Sequence, residues 1–505
     1  MSRPSLTRAL AWRTDALRRL ADSWDDTARV VHARTTAATR AGLDTEPVWT
    51  GAAADAARRE ARAFAAEGDA VARALVLAAV AARDAADQIA AAQANVAARV
   101  EVARAAGFRV GDDGSAIPEK APSALLIMLS GNDAGVAAAM LAARGGELTR
   151  QIVSALDELG DADHDAAQDV REALDTVDRM ADTALGNTDG VPWEVRIAAN
   201  RTNIAQAIVE RLDERDASER TAFYRGLLVE VDDPAGGGHR IDRKILAFDP
   251  VRDSLVELNG DLAAASSVAV FVPGMNTTIE GSAGQTTSAR RFVSATRGEV
   301  AAITYLGGPF PQDDTVAGAL LEAASPRLAI DMAPRLVSFS RDVDATVDAT
   351  GRQIPVTYVG HSYGGSILGT AEALGLTADR TVYAAAAGAG FGVDGPDDWH
   401  NRNPHVLRFS MTAPADPIQL VQGIPGGPHG ADPDEMPGVI HLATGRYDDG
   451  RLMAGPGAHT DVLSVSASDA WRNVLAVIVG DREHIVLAGD HRPEPPGATV
   501  GRKSP

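Results

Sequence analysis

A serine, a carboxylate and a histidine occur in this sequence at positions where a nucleophilic hydrolysis site would need them. The serine is Ser362, within Gly360-His361-Ser362-Tyr363-Gly364, and Gly365 follows. An apolar, β-rich run precedes this motif and a small-residue helical segment follows it, as in the strand–turn–helix of a nucleophile elbow. Such a turn strains the serine backbone and needs bare glycines beside it. Because the chain has 48 glycines, a glycine-rich turn with a bystander serine is the alternative.

The acid and the histidine of such a site are expected after later strands of the same sheet. Asp416 follows the apolar run 406–411, and a proline after it favours an extended backbone. His459 follows the last predicted strand in a Gly-rich loop, ahead of two less well placed histidines, His484 and His491. The histidine would take the serine proton and the carboxylate would orient the histidine. Asp394 is the rival acid. A further alternative is that Asp416 only forms a turn and has no catalytic role.

Backbone amides complete the predicted site. The amide of Tyr363, at the start of the helix, can donate to a developing oxyanion. A second donor is expected in Pro273-Gly274-Met275-Asn276, which follows the apolar run 268–272. Gly274 allows the turn, Met275 is the first candidate donor and Asn276 the second, unless this is an ordinary strand-end turn. This chemistry needs neither a metal nor an organic cofactor.

Composition narrows the class of protein. The net charge of −21 argues against a nucleic-acid partner, because phosphate contacts need a basic surface. The absence of cysteine excludes disulfides and thiolate sites. No run is long and apolar enough for an integral membrane segment, and no secretory signal peptide begins the chain. The expected location is therefore cytoplasmic, with export by a route without a cleaved signal left open.

The first hundred residues predict two long amphipathic helices, over 5–46 and 52–106. The turn between them contains Trp49-Thr50-Gly51, so residues 1–106 resemble the WxG-type helical hairpins of type VII secretion substrates. The resemblance implies a partner protein for the hairpin. The usual tyrosine-based export signal is missing, since the first tyrosine is Tyr224. A plain hairpin in which Trp49 staples the turn is the alternative.

Four further segments follow in the predicted organisation. Residues 107–122 are expected to form a linker, 123–220 a helical connector, 221–488 an α/β domain and 489–505 a disordered tail. In the α/β domain, strands of nearly uninterrupted apolar residues alternate with helices, which is typical of a sheet covered on both faces. The predicted strands are 224–231, 244–248, 268–272, 300–306, 355–360, 381–387, 406–411 and 439–444.

Six motifs occur in order within residues 190–480: VPWEVRIAANR, FVPGMNTT, GHSYGG, AAAAGAG, ADP and GAH. This region resembles α/β-hydrolase domains of unknown function from actinobacteria. The resemblance implies the α/β-hydrolase fold, a mostly parallel sheet with helices on both faces, here beside a separate N-terminal helical region. It also implies a Ser362/Asp416/His459 triad, and it brings no substrate.

The expected function is serine hydrolysis of a small carboxylic ester or a lipid; thioesters, amides and peptides would use the same parts. The alternative is a secretion-linked or cell-envelope interaction protein whose hydrolase fold is not catalytic. Too few residues separate 387 from 406 for a helical cap. A lid is therefore expected from the N-terminal helices or from the loops 307–318 and 422–438, which could equally be solvated connectors.

Overall fold

The computed structural model describes residues 3–179, 182–213, 218–312, 325–424 and 427–489. The chain divides into two compact units. The helical unit comprises residues 1–181 and 204–229, and the sheet unit comprises 182–203 and 230–505. The predicted tail after residue 489, including His491, lies outside the described residues.

The helical unit is built around a long helical hairpin. Its helices are α1 (Leu6–Leu10), α2 (Asp15–Asp44), α3 (Ala52–Ala105), α4 (Ala124–Leu129), α5 (Ala134–Asp175) and α7 (Ser218–Leu228). The small side chains of Ala21, Ala79 and Ala82 are buried together, which lets α2 and α3 approach closely. In the described part of the chain, no helix has both the length and the apolar character needed to cross a membrane.

Residues 107–122 are not a linker, so that prediction is wrong. They form an antiparallel hairpin of β1 (Phe108–Val110) and β2 (Ala116–Pro118). Phe108 is buried in the core of the helical unit, and the Ala116 amide donates to the Thr149 hydroxyl of α5 at 2.9 Å. The glycine and proline content of this segment therefore reflects tight turns on a packed surface.

The predicted strand 224–231 is also wrong, because most of it belongs to α7. Tyr224, Leu227 and Leu228 are buried at helical spacing, so one helix face is anchored in the core. Tertiary packing has overridden the β-propensity of these residues.

The sheet unit contains ten strands within its described residues. They are β3 (Val231–Asp232), β4 (Arg240–Ile241), β5 (Lys244–Asp249), β6 (Ser254–Asn259), β7 (Ser267–Val272), β8 (Val300–Gly307), β9 (Val356–His361), β10 (Arg380–Ala384), β11 (Leu407–Met411) and β12 (Val439–His441). Its helices are α6 (Trp193–Val209, up to residue 203), α8 (Ala283–Ala295), α9 (Arg327–Ala349), α10 (Tyr363–Ala373), α11 (Ala458–Ser464) and α12 (Asp469–Val479).

Strands β5 to β12 form one sheet in the order β12-β11-β10-β9-β7-β8-β6-β5. The six strands from β12 to β8 are parallel, whereas β6 is antiparallel to both of its neighbours. All residues of β8 are buried, as expected when helices cover both faces of a sheet. Strand β6 was missed by the sequence prediction because a charged residue, Glu257, interrupts it. Glu257 is buried in an ion pair with Arg243 at 2.6 Å.

The register brings the predicted site residues to one edge of the sheet. Val272 pairs with Gly360, and Ala384 pairs with both His361 and Met411. The carboxyl ends of β7, β9 and β11 are therefore level, and the segments that follow them meet at this edge.

The segment 182–203 packs with the sheet unit, whereas the sequence placed the start of the α/β domain at residue 221. The reason is a buried polar cluster around Asp342. Its carboxylate accepts hydrogen bonds from the Trp193 indole at 3.1 Å, the Arg196 guanidinium at 2.6 Å and the Gly190 amide at 3.1 Å. These charge-assisted bonds attach the start of α6 to α9.

Candidate active site

Ser362 lies at the turn between β9 and α10 in a strained backbone conformation. Its φ is 55° and its ψ is −123°, a region that non-glycine residues rarely adopt. The Ser362 amide donates to the Ala384 carbonyl at 3.1 Å, and the Ser362 carbonyl accepts from the Ala387 amide at 2.9 Å. Backbone hydrogen bonds to the neighbouring strand thus hold the serine in this conformation.

Four glycines make this turn possible. A Cβ atom added to any of them would come within 3 Å of another atom. At Gly360 it would lie 2.7 Å from the Gly364 oxygen, and at Gly364 it would lie 2.2 Å from the Val272 oxygen. At Gly365 it would lie 2.3 Å from the Ala386 Cβ, and at Gly274 it would lie 2.7 Å from the Ser362 Cβ. Three of these contacts join the elbow to neighbouring strands or loops. The bare positions predicted around the serine are therefore required by close backbone approach.

Asp416 and His459 contact each other although they are far apart in the chain. The His459 Nδ1 lies 3.0 and 3.1 Å from the two carboxylate oxygens. The Asp416 side chain is 0% exposed and that of His459 is 24% exposed. Asp416 also accepts the Ile418 amide at 2.9 Å, so it acts as a turn former as well. The rival acid Asp394 is exposed.

His459 lies in the first turn of α11, slightly past the loop in which the sequence placed it. Since Asp416 occupies Nδ1, Nε2 is the nitrogen left for the Ser362 hydroxyl. Both side chains line one cavity. Among the described residues, no direct hydrogen bond joins the Ser362 hydroxyl to the His459 imidazole; such bonds often tighten only with substrate bound. The other described candidate, His484, is exposed and bonds to Asp481.

The His361 side chain holds the backbone of His459. Its Nε2 donates to the His459 carbonyl at 2.7 Å, and the two ring centroids are 5.0 Å apart. Burial, together with the neighbouring His459 imidazole, lowers the pKa of His361 to about 4. A neutral His361 carrying its proton on Nε2 therefore anchors the start of α11.

The loop after β7 contains both residues predicted as the second oxyanion donor, Met275 and Asn276. The Asn276 amide is not available, because it donates to the Pro311 carbonyl at 2.8 Å, and Asn276 has a φ of 58°. Among the described residues, no group accepts a hydrogen bond from the Met275 amide, and Met275 lines the same cavity as Ser362. Met275 is thus the candidate donor of this loop, as first expected.

The Tyr363 side chain makes structural contacts that the motif did not reveal. Its amide lies at the start of α10, where helix amides point outward. Its buried hydroxyl donates to the Ser325 carbonyl at 2.8 Å and accepts from the Ala329 amide at 3.1 Å. Tyr363 therefore joins the start of α10 to the start of α9.

A cavity of about 470 Å³ opens beside Ser362. Its walls come mainly from the loop after β7, from α8 and from α11. The sequence analysis missed the contribution of α8, although its lining residues Gln285, Ser288, Ala289 and Phe292 have the spacing of a single helix face. In the parts of the chain that are described, no cluster of three or more acidic or histidine side chains is arranged to hold a metal ion.

The loop 422–438 is packed, contrary to the prediction of a lid or solvated connector. The Gln422 amide group donates to the Ala386 carbonyl at 2.7 Å. His429 is buried, with Nδ1 2.9 Å from the Ser366 hydroxyl of α10. Residues 425 and 426 lie outside the described residues, as does the loop 307–318 beyond residue 312.

Comparison with known proteins agrees with this architecture. Residues 249–424 match the model of a family described as alpha/beta hydrolase, a range that includes Ser362 and Asp416. Together with the mostly parallel sheet and the separate N-terminal helical region, the match confirms the predicted fold class and supports a hydrolase. A comparison with curated proteins finds no match.

Two solved structures resemble parts of the chain. One is TT1662 from Thermus thermophilus, at 14% identity and a TM-score of 0.23, covering 40% of this chain and 90% of its own. The other is a hyperthermophilic esterase from the archaeon Pyrobaculum calidifontis, at 10% identity and a TM-score of 0.25, covering 56% of this chain and 96% of its own. At these identities and TM-scores, the two likenesses add nothing to the interpretation of the site.

Proposed function

We propose that the protein is a serine hydrolase of carboxylic esters. The observation that carries the proposal is the contact between the buried Asp416 carboxylate and His459 Nδ1, since the His459 side chain lines the same cavity as the strained Ser362. A hydroxyl, a carboxylate and an imidazole, in this chain order, are the parts of a catalytic triad. The family match supports hydrolysis in general, and the assignment of an ester as substrate is ours.

In the proposed reaction, the Ser362 oxygen attacks the ester carbonyl while its proton passes to His459 Nε2. The amides of Met275 and Tyr363 donate to the oxyanion of the tetrahedral intermediate. His459 then gives the proton to the leaving alcohol, and the acyl group remains on Ser362. A water molecule repeats the attack, with His459 as base and then acid, and releases the carboxylic acid. Asp416 keeps the imidazole oriented throughout.

A fluorophosphonate probe tests the proposal, because it reacts with activated serines. Wild-type protein should be labelled at Ser362 and should hydrolyse nitrophenyl esters, and Ser362→Ala should lose both activities. Ser464→Ala is the matched control, since Ser464 lines the same cavity and should keep the label. Folded wild-type protein that neither reacts with the probe nor hydrolyses any ester would refute the proposal.

We propose a second function for the α2–α3 turn, as a binding surface for a partner linked to secretion. Val48 is 85% exposed and Trp49 is 44% exposed, so Trp49 does not staple the turn from within the core. The Trp49 backbone carbonyl accepts a hydrogen bond from Arg58, which a Trp49→Ala change would keep. This role is compatible with a hydrolase that is exported.

The test is the fraction of protein found in culture supernatant free of lysis markers. Trp49→Ala should lower this fraction, whereas Phe64→Ala, an exposed aromatic residue within α3, should not. Supernatant levels that are nil for the wild type, or equal for all three proteins, would refute an export role for the turn.

A further inference from the structure

The cavity beside Ser362 points to a class of acyl group. We propose that the substrate carries an uncharged aliphatic acyl chain of about six to ten carbons, held between α8 and α11. This inference rests on the proposed ester hydrolysis and adds the substrate class to it. Its support comes from the charge, the walls and the size of the cavity.

No described residue that lines the cavity carries a fixed charge. The two titratable groups are His459 and His361, and burial lowers the pKa of His361 to about 4. A carboxylate or ammonium group on the acyl chain would lose its hydration here without gaining a partner of opposite charge. The net charge of −21 further disfavours the approach of anionic substrates. The cavity therefore selects a neutral acyl group.

The inner walls of the cavity are apolar and rigid. Phe292 of α8 stacks on Trp471 with ring centroids 4.5 Å apart, and Phe271 lies 5.0 Å from Phe292. Both Phe292 and Ala289 are buried, and Leu463 of α11 also lines the cavity. Because these rings belong to the packed core of the sheet unit, the floor cannot recede to admit a longer chain.

The acyl half of the ester fits the part of the cavity lined by Phe292 better than the alcohol half does. The alcohol must reach solvent before water can attack, whereas the acyl group stays bonded to Ser362 through both steps. His459, which would protonate the alcohol, has a partly exposed side chain. The buried wall at Phe292 is therefore suited to the acyl group, which remains on Ser362 after the alcohol leaves.

The volume of the cavity indicates the length of the acyl chain. Methylene groups and water molecules occupy similar volumes, about 30 Å³ each, so a cavity of about 470 Å³ holds about fifteen such groups. The ester atoms and part of the alcohol share this space, which leaves room for about six to ten acyl carbons.

The experiment is a kcat/KM profile on nitrophenyl esters with acyl chains of increasing length and one fixed leaving group. We expect a rise of about two- to fourfold per methylene up to about eight carbons, and no gain beyond about ten. A second series, with a fixed acyl group and alcohols of increasing length, should show a much flatter profile. A nitrophenyl hemisuccinate should react at least about tenfold more slowly than the butyrate of equal length.

Substitutions at Leu463 test the wall directly. Leu463→Ala removes three carbon atoms and should move the optimum to chains about three carbons longer, whereas Leu463→Trp should move it to shorter chains. Leu452→Ala is the matched control, because Leu452 is exposed and lies outside the cavity. Its profile should equal that of the wild type.

The outcomes separate this inference from the proposed function. An enzyme without probe labelling or ester turnover would overturn both. An active enzyme with a flat acyl profile, with rates governed by the alcohol, or with the same optimum in both Leu463 variants would overturn the acyl cavity alone.

Discussion

Replacing Asp416 with asparagine removes the charge behind His459 and keeps the shape of the side chain. The remaining amide oxygen can still accept the Ile418 amide, so the local turn should persist. What is lost is the stabilisation of the imidazolium that forms when His459 takes the serine proton. The change therefore tests the proposed triad with little expected effect on folding.

The magnitude follows from the geometry. The Asp416 oxygen lies 3.0 Å from His459 Nδ1, and the carboxylate is fully buried. Two opposite charges at this distance interact by about 5.5 kcal/mol at an effective dielectric constant of about 20. A loss of this size in the transition state corresponds to about a ten-thousand-fold lower rate. Since an amide dipole replaces part of the interaction, we expect kcat to fall by about 10³- to 10⁴-fold.

The assay is the hydrolysis of an eight-carbon nitrophenyl ester, with thermal unfolding measured in parallel. Asp394→Asn, the same substitution at the rival acid, should keep wild-type activity. Adding Ser362→Ala to Asp416→Asn should lower the rate little further, because triad residues act as a unit. If Asp416→Asn keeps more than about a tenth of the wild-type kcat, or if Asp394→Asn loses as much, the proposed triad is wrong.

Three further predictions concern the surrounding structure. The pKa of His361 is about 4 in the folded protein, against an ordinary value of 6.5. As the pH falls, the unfolded chain therefore takes up a proton at His361 before the folded protein does. Stability should thus fall by at most about 3 kcal/mol as pH drops from 6.5 to 4. His361→Gln should flatten this slope in urea unfolding, and an unchanged slope would contradict the assignment. Gly145→Ala should destabilise, since its Cβ would lie 2.8 Å from the Ala116 oxygen. In contrast, Gly146→Ala should stabilise by about 0.5–1 kcal/mol, since nothing lies within 4 Å of its Cβ. If the two substitutions shift the calorimetric melting temperature in the same direction, the packing of the β1–β2 hairpin against α5 is refuted. Asp342→Ala should cost about 3–5 kcal/mol, because it removes the buried carboxylate nearest to the buried Arg196 guanidinium, and a denaturant midpoint equal to that of the wild type would contradict this.

The candidate site residues could be predicted where the neighbouring residues in the sequence form a recognisable pattern. Ser362 is flanked by the glycines that a sharp turn needs, and Asp416 precedes a proline that extends its backbone. His459 belongs to a Gly-rich loop that follows the last predicted strand. Each of these predictions depends on residues that are neighbours in the chain, and the structure places Asp416 on His459 Nδ1 and both Ser362 and His459 at one cavity.

The features that the sequence did not reveal depend on distant contacts. Glu257 makes β6 look like a surface segment until Arg243 is placed beside it. The competition for the Asn276 amide depends on Pro311, which reaches it only after folding. The same holds for His361, whose partner is a backbone carbonyl almost a hundred residues away, at position 459. A one-dimensional pattern cannot show which polar groups meet across a fold.

The serine and the histidine of the proposed triad are held by different means, and this difference has a consequence. Ser362 is fixed by its backbone, whose strain of about 1–3 kcal/mol is sustained by hydrogen bonds to the next strand and by glycine contacts. His459 is fixed by two side chains, Asp416 on its ring and His361 on its carbonyl. Substitutions around the serine should therefore lower stability and activity together. Substitutions of the two side chains that hold the histidine should lower the rate of hydrolysis far more than the stability near neutral pH.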